Sequence, residues 1–140
     1  MGAWGLKNFE NDSALDFTAD VLEGSKNLIK NAILKINNAN ADDYLESDDC
    51  VEALAAMEFI ATAKGNAPTD LTDDLQKWLK KNDVLQFKSG LFGKKLDMTE
   101  LSLKALDRIS SNSELKELWE ESEEFNDWLK IIEDLKQRLG

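Results

Sequence analysis

Glu58 is the residue whose type and place could do chemistry. It sits inside CVEALAAMEFIATAKG, the most apolar segment of the chain, with Leu54, Ala55, Ala61 and Thr62 on neighbouring turns. A carboxylate in such surroundings must find hydrogen-bond donors or take up a proton. Two roles follow: a general acid or base, or a structural tie. The companions of the first role are missing. The chain has no His, which removes the Ser–His and Cys–His pairs, the His metal ligand and the imidazole base. No reactive Cys and no second carboxylate stands at an evident partner position. The reading is therefore structural. Glu58 is expected to hold backbone N–H groups, or an indole N–H of the N-terminal arm, and no catalytic residue is assigned.

Two other stretches invite a chemical reading. Asp42, Asp43, Glu46, Asp48 and Asp49 are dense enough to bring calcium to mind, but their spacing is not that of an EF-hand loop and no Gly supplies its sharp turn. They read as a solvated loop and a helix start. SGLFGKKL lacks the spacing of a phosphate-binding loop. No metal and no cofactor is expected. The densest charge lies in ELKELWEESEEFNDW, where Glu114, Glu117, Glu120, Glu121, Glu123, Glu124 and Asp127 stand against Lys116 alone. Like charges three or four apart on a helix cost about a few tenths of a kcal/mol per pair. Such a run is either a solvated face or a docking surface for a basic partner, where a focused negative field speeds encounter. The surface reading places Glu117, Glu120, Glu121, Glu123, Glu124 and Asp127, with Trp119, in contact with the partner.

The elements that must position these residues read as helices. One Pro and seven Gly are few breakers among so much Leu, Lys, Glu, Asp and Ala. Asn11 or Asp12 offers an N-cap oxygen to a first helix carrying Ala14, Phe17, Thr18 and Val21, which Gly24 ends. A second helix runs from about Ser25 to Ile36. The third is the Ala-rich segment, whose small side chains let neighbours approach closely; Gly65 stops it. A fourth is predicted over 70–81. Val84, Leu85, Phe87, Leu91 and Phe92 around Ser89-Gly90 fit a short hairpin at 84–93 or an apolar loop. Asp97 and Glu100 fit a capping-box spacing for a helix through about Ser110. From Leu115 to Leu139 an apolar stripe predicts one long final helix, about 26 residues and roughly 40 Å, with a bend near Ser122. The expected fold is all-α: one compact domain over 1–140, of about five or six helices. An ordered arm precedes it, anchored by Trp4 and Phe9, with Gly2 and Gly5 allowing close approach to the third helix.

Bulk composition narrows the partner. Seventeen basic and 28 acidic side chains give a net charge of −11. That balance disfavours nucleic acid and anionic membrane as partners and allows a basic protein. No apolar stretch reaches the roughly 18 residues of a membrane span, no signal peptide is read, and a single Cys fits a reducing compartment. The cytoplasm is the expected location, and the state a monomer or homodimer.

The opening Gly2-x-Trp4-Gly5, Phe9-x-Asn11-Asp12 and Ala14-x-Asp16-Phe17 resembles that of an uncharacterised family of small bacterial proteins. The Ala-rich helix from Ala53 to Gly65 with its internal Glu58 is similar to that family, as is the segment holding Ser113, Glu114, Leu115, Leu118, Trp119 and Glu121. The chain departs at Leu6-Lys7-Asn8, where relatives often have a further Gly, and at Phe17, where Trp is common. The resemblance carries no established activity. Some members resemble immunity proteins of bacterial toxin systems, which implies a basic, nuclease-like toxin domain as partner.

The expected function is thus a non-enzymatic acidic binding protein, an immunity protein neutralising such a domain. The alternatives are a scaffold or housekeeping protein whose acidity serves solubility, an enzyme built on Glu58 and a nearby carboxylate, and a mimic of nucleic acid whose carboxylates imitate phosphates.

Overall fold

The computed structural model describes residues 7–69, 71–89 and 93–140. Among them are seven helices: α1 Asp12–Glu23, α2 Asn27–Asn37, α3 Ser47–Ala63, α4 Asp73–Lys81, α5 Met98–Ser111, α6 Glu114–Glu120 and α7 Phe125–Leu139. One two-stranded hairpin, β1 Phe87–Ser89 and β2 Lys94–Leu96, lies between α4 and α5. The all-α expectation holds, and the buried apolar residues form a single core.

That core is organised by α3. Eleven of its seventeen residues are buried, on every side of the helix. It packs against α1, α2, α5, α6 and α7. Ala53, Ala55, Ala56 and Ala61 are each 0% exposed, and their small side chains leave room for five neighbours. The helix stops where the sequence says it should. Gly65 takes φ +92°, a left-handed conformation that favours glycine, and the Asn66 N–H returns to the Ala61 carbonyl at 2.9 Å. Cys50 lies inside this helix, and burial pushes its thiol up to about 11.

The other starts are fixed by side-chain caps. Asn11, not Asp12, caps α1: its Oδ1 accepts the Ala14 N–H at 2.7 Å, while Asp12 is the exposed first helical residue. Thr72 caps α4, which begins at Asp73 rather than three residues earlier; Asp70 lies outside the described residues. Asp97 accepts the Glu100 N–H at 3.0 Å to start α5, but the Glu100 carboxylate turns to Lys104 at 3.3 Å instead of closing the box. Helix α2 begins two residues late, because the Ser25 hydroxyl accepts the Asn27 N–H at 3.1 Å in a local turn.

Two expectations need correction. The hairpin sits further along than 84–93: Phe87 pairs with Leu96, Lys88 with Lys95 and Ser89 with Lys94, antiparallel. Residues 90–92 of its connection, including Leu91 and Phe92, lie outside the described residues. The final long helix is two helices. After Glu120 the Ser122 hydroxyl donates to the Trp119 carbonyl at 2.8 Å and accepts the Glu124 N–H at 3.1 Å. A side chain that satisfies both groups competes with the helical ladder, and Glu120, Glu121, Glu123 and Glu124 repel across the same turn. The break lets the rings of Trp119 and Trp128 stack, centroids 6.4 Å apart and planes 15° apart.

The arm is fastened at Phe9, which is 8% exposed and packs T-shaped against Phe59, ring centroids 6.4 Å apart. Trp4, with Gly2 and Gly5, lies outside the described residues.

Replacing Asn11 by Ala removes the α1 cap; urea unfolding should show a loss of about 1 kcal/mol. An unchanged midpoint would mean that the first turn is held by something other than this amide.

Candidate functional site

The acidic surface is assembled from two places far apart in sequence. Ser113 starts α6: its hydroxyl accepts the Lys116 N–H at 3.1 Å and donates to the Ile109 carbonyl at 2.6 Å. The Glu114 N–H then donates to the Leu45 carbonyl at 2.9 Å, which lays α6 beside the loop before α3. The Glu114 carboxylate accepts the Ser47 N–H at 2.8 Å. Ser47 is the first residue of α3, whose own cap residue, Glu46, makes no side-chain cap bond. Glu114 therefore caps α3 from another helix, with its negative charge at the positive end of the dipole. The Ser47 amide holds the Glu114 carboxyl below the usual carboxylate range.

The loop itself is pinned from α5. One guanidinium nitrogen of Arg108 donates to the carbonyls of Asn40 at 3.0 Å and Asp43 at 2.8 Å. The Asp43 carboxylate accepts the Asn40 N–H at 2.8 Å. So held, the loop presents Tyr44 over α6. Its hydroxyl donates to Glu117 at 2.9 Å, with Glu114 at 3.4 Å. Tyr44 is 58% exposed, the most exposed of the large apolar side chains described. The bond to Glu117, before burial and neighbouring charge, pushes its hydroxyl up to about 12.

The sequence-derived surface residues divide accordingly. Glu117, Glu120, Glu121, Glu123, Glu124 and Asp127 are all exposed. Glu120 pairs with Lys116 at 2.5 Å. Asp42, Asp43 and Glu46, all exposed, are brought beside α6 by the loop. Asp48 and Asp49 turn away, to Ser13 of α1 at 3.2 Å and Lys35 of α2 at 2.8 Å. Trp119 is packed inside, 8% exposed against Trp128. The aromatic that does stand on this surface is Tyr44, which the sequence reading did not single out. Its signal was present: it is the sole tyrosine, set in an acidic run and outside every helical stripe.

Glu58 lies elsewhere, 3% exposed. Its partners are not backbone amides. Arg138 of α7 grips it with both terminal nitrogens, 2.5 Å to Oε1 and 2.9 Å to Oε2, and the Asn8 side-chain amide donates to Oε2 at 3.0 Å. The arm thus reaches Glu58 through Asn8. Arg138 also donates to Asp134 at 2.8 Å, and its hydrogen bond to Glu58 raises its affinity for the proton still further. A cleft of about 120 Å³ opens onto this cluster, lined by Glu58 itself with Lys7, Asn8, Thr69, Asp134 and Arg138 among others. Two carboxylates do meet here, but one guanidinium binds both. That arrangement ties α3, α7 and the arm together at one carboxylate. Among the described residues, no group of three His, Cys, Asp or Glu could hold a metal ion, and no helix is long and apolar enough to cross a membrane.

A family model for a domain of unknown function, DUF4259, matches residues 2–130. It spans Glu58 and the whole acidic surface; Arg138 lies beyond it. No curated protein and no solved structure matches the chain.

Because Tyr44 is the only tyrosine, its ionisation can be followed directly by phenolate absorbance. The neutral phenol is the donor, so the contact to Glu117 is whole below the ordinary value near 10 and is lost as pH rises through about 12. Glu117→Gln should bring the midpoint back toward 10. A wild-type midpoint already at 10 would mean that the Tyr44–Glu117 bond is not made.

Proposed function

We propose, for a chain that belongs to the DUF4259 family of domains of unknown function, a non-enzymatic role: stoichiometric docking of a basic protein domain on the joined surface of α6 and the 40–46 loop. The finer reading is an immunity protein that neutralises a basic, nuclease-like toxin domain. The resemblance of the opening and C-terminal motifs to families with immunity-like members supports that reading, as does the net charge of −11.

The observation that carries the proposal is the Tyr44–Glu117 junction. It joins the loop that carries Asp42, Asp43 and Glu46 to the helix that carries Glu117 and Glu120, with one exposed aromatic at the join. Carboxylates in such density accelerate the approach of a cationic surface and reject anionic ones. They contribute less to the final affinity, because exposed pairs in water are weak. Affinity needs an anchor that is desolvated on contact, and tyrosine is among the residue types that serve best. Tyr44 is held in place by its own hydroxyl before the partner arrives, so little side-chain entropy remains to be lost on docking. Steering by the Glu face and anchoring by Tyr44 are thus separate contributions.

The partner to test is a basic domain encoded beside this chain, titrated by calorimetry against three forms of it. Reversing Glu120, Glu121, Glu123 and Glu124 to Lys should weaken binding by about a hundredfold, and Tyr44→Ala by at least about tenfold. Binding unchanged by the reversal would leave the run as a solvated face. Competition by duplex DNA for the same surface would instead favour mimicry of nucleic acid.

A further inference from the structure

We propose that Lys7–Asn11 is a strap over α3 whose fastening is set by the opposite end of the chain. The two ends share one oxygen. Glu58 Oε2 receives Asn8 Nδ2 at 3.0 Å and Arg138 Nη2 at 2.9 Å, although 130 positions separate the donors. The strap closes on α3 only while the last turn of α7 is docked.

Removing Arg138 leaves a carboxylate that is 3% exposed with one neutral amide as donor. A buried anion so poorly served must draw in water. The route for that water is the cleft beside the cluster, and Lys7 and Asn8 form part of its wall. Water taken up there competes with the Asn8 amide for Glu58 Oε2, and losing that bond frees the strap. Among the described residues the strap has two other side-chain fastenings to the body: Lys7 Nζ donates to Thr69 Oγ1 at 3.2 Å in an exposed position, and Phe9, 8% exposed, packs T-shaped against Phe59 in the core. Lifting stops at α1, which has its own buried face in Ala14, Phe17, Thr18 and Val21.

The last turn of α7 is held at several points, which makes it the firmer of the two ends. The Asn66 side-chain amide donates to the Arg138 carbonyl at 2.9 Å, and Lys64 donates to the Leu139 carbonyl and to Thr99 Oγ1. Asp134 holds the guanidinium from its own helix at 2.8 Å. Undocking this turn opens the strap and uncovers the edge of Phe59, which itself packs against Trp78 at 5.7 Å. The device is a latch. The C-terminal turn is the catch, Glu58 the pin, and the arm the part that moves.

Native-state hydrogen exchange on the full chain tests it. In Arg138→Gln, the Glu10 amide, bonded to the Lys7 carbonyl, and the Ala14 amide, bonded to Asn11, should exchange at least about tenfold faster. Amides of α5 around Ile109 should keep their protection. Asn8→Ala, which leaves the ion pair intact, should speed the strap amides and, by reciprocity, those of the last turn of α7. If Arg138→Gln loosens only the C-terminal turn while Glu10 and Ala14 are unmoved, the ends are independent and the latch is wrong. If α5 accelerates in step with the strap in both variants, the coupling is global unfolding, and the latch is equally wrong.

Discussion

A helix that is buried on every side and carries a carboxylate in its middle sets the terms for the whole structure. α3 supplies the surface on which five other helices close, and Glu58 stands within it. An anion there must be met by charge and by hydrogen bonds, or the core pays for it in stability. The donors come from the two ends of the chain: Asn8 before the first helix and Arg138 in the last turn of the last. Both segments therefore meet on α3 at a single carboxylate. Gripped by a guanidinium at two points, this carboxylate ties α3 to α7.

The same logic sorts the remaining acidity. Several carboxylates are already committed to backbone. Glu114 caps α3 from α6, Asp97 caps α5, and the Asp43 carboxylate closes its own turn. Asp48 and Asp49 face α1 and α2. Glu117, Glu120, Glu121, Glu123, Glu124 and Asp127 stay exposed, and the Glu114 and Tyr44 contacts join α6 to the 40–46 loop. Capping α3 and gathering the surface are one event, since Glu114 takes part in both. A rigid core and a presented charge are thus linked through one short stretch of α6.

Much of this was legible in the sequence wherever the signal was local. Asn11, Asp97 and Gly65 sit at helix ends whose chemistry lies within three or four residues. The Ala-rich third helix and its central place followed from side-chain size. What failed was non-local. Nothing near Glu58 announces Arg138, because an ion pair across 80 positions leaves no periodic trace. The continuous stripe from Leu115 to Leu139 hid the break at Ser122, since both helices face the same core and keep the apolar phase. Trp119 reads as a surface aromatic amid its Glu neighbours, yet that break folds it onto Trp128. Tyr44 was overlooked for the opposite reason: it belongs to no stripe, and the loop that displays it is fixed by Arg108 from far along the chain.

The pair of Glu58 and Arg138 is the contact on which α3, α7 and the arm all converge. A double-mutant cycle in urea, with Glu58→Ala, Arg138→Ala and both together, measures it. Glu58→Ala alone should cost about 3 kcal/mol, and the double variant about 2 kcal/mol less than the sum of the singles, because neither charge is then left buried without its partner. Strictly additive losses, or a Glu58→Ala variant as stable as the parent, would show that the bundle closes without this contact.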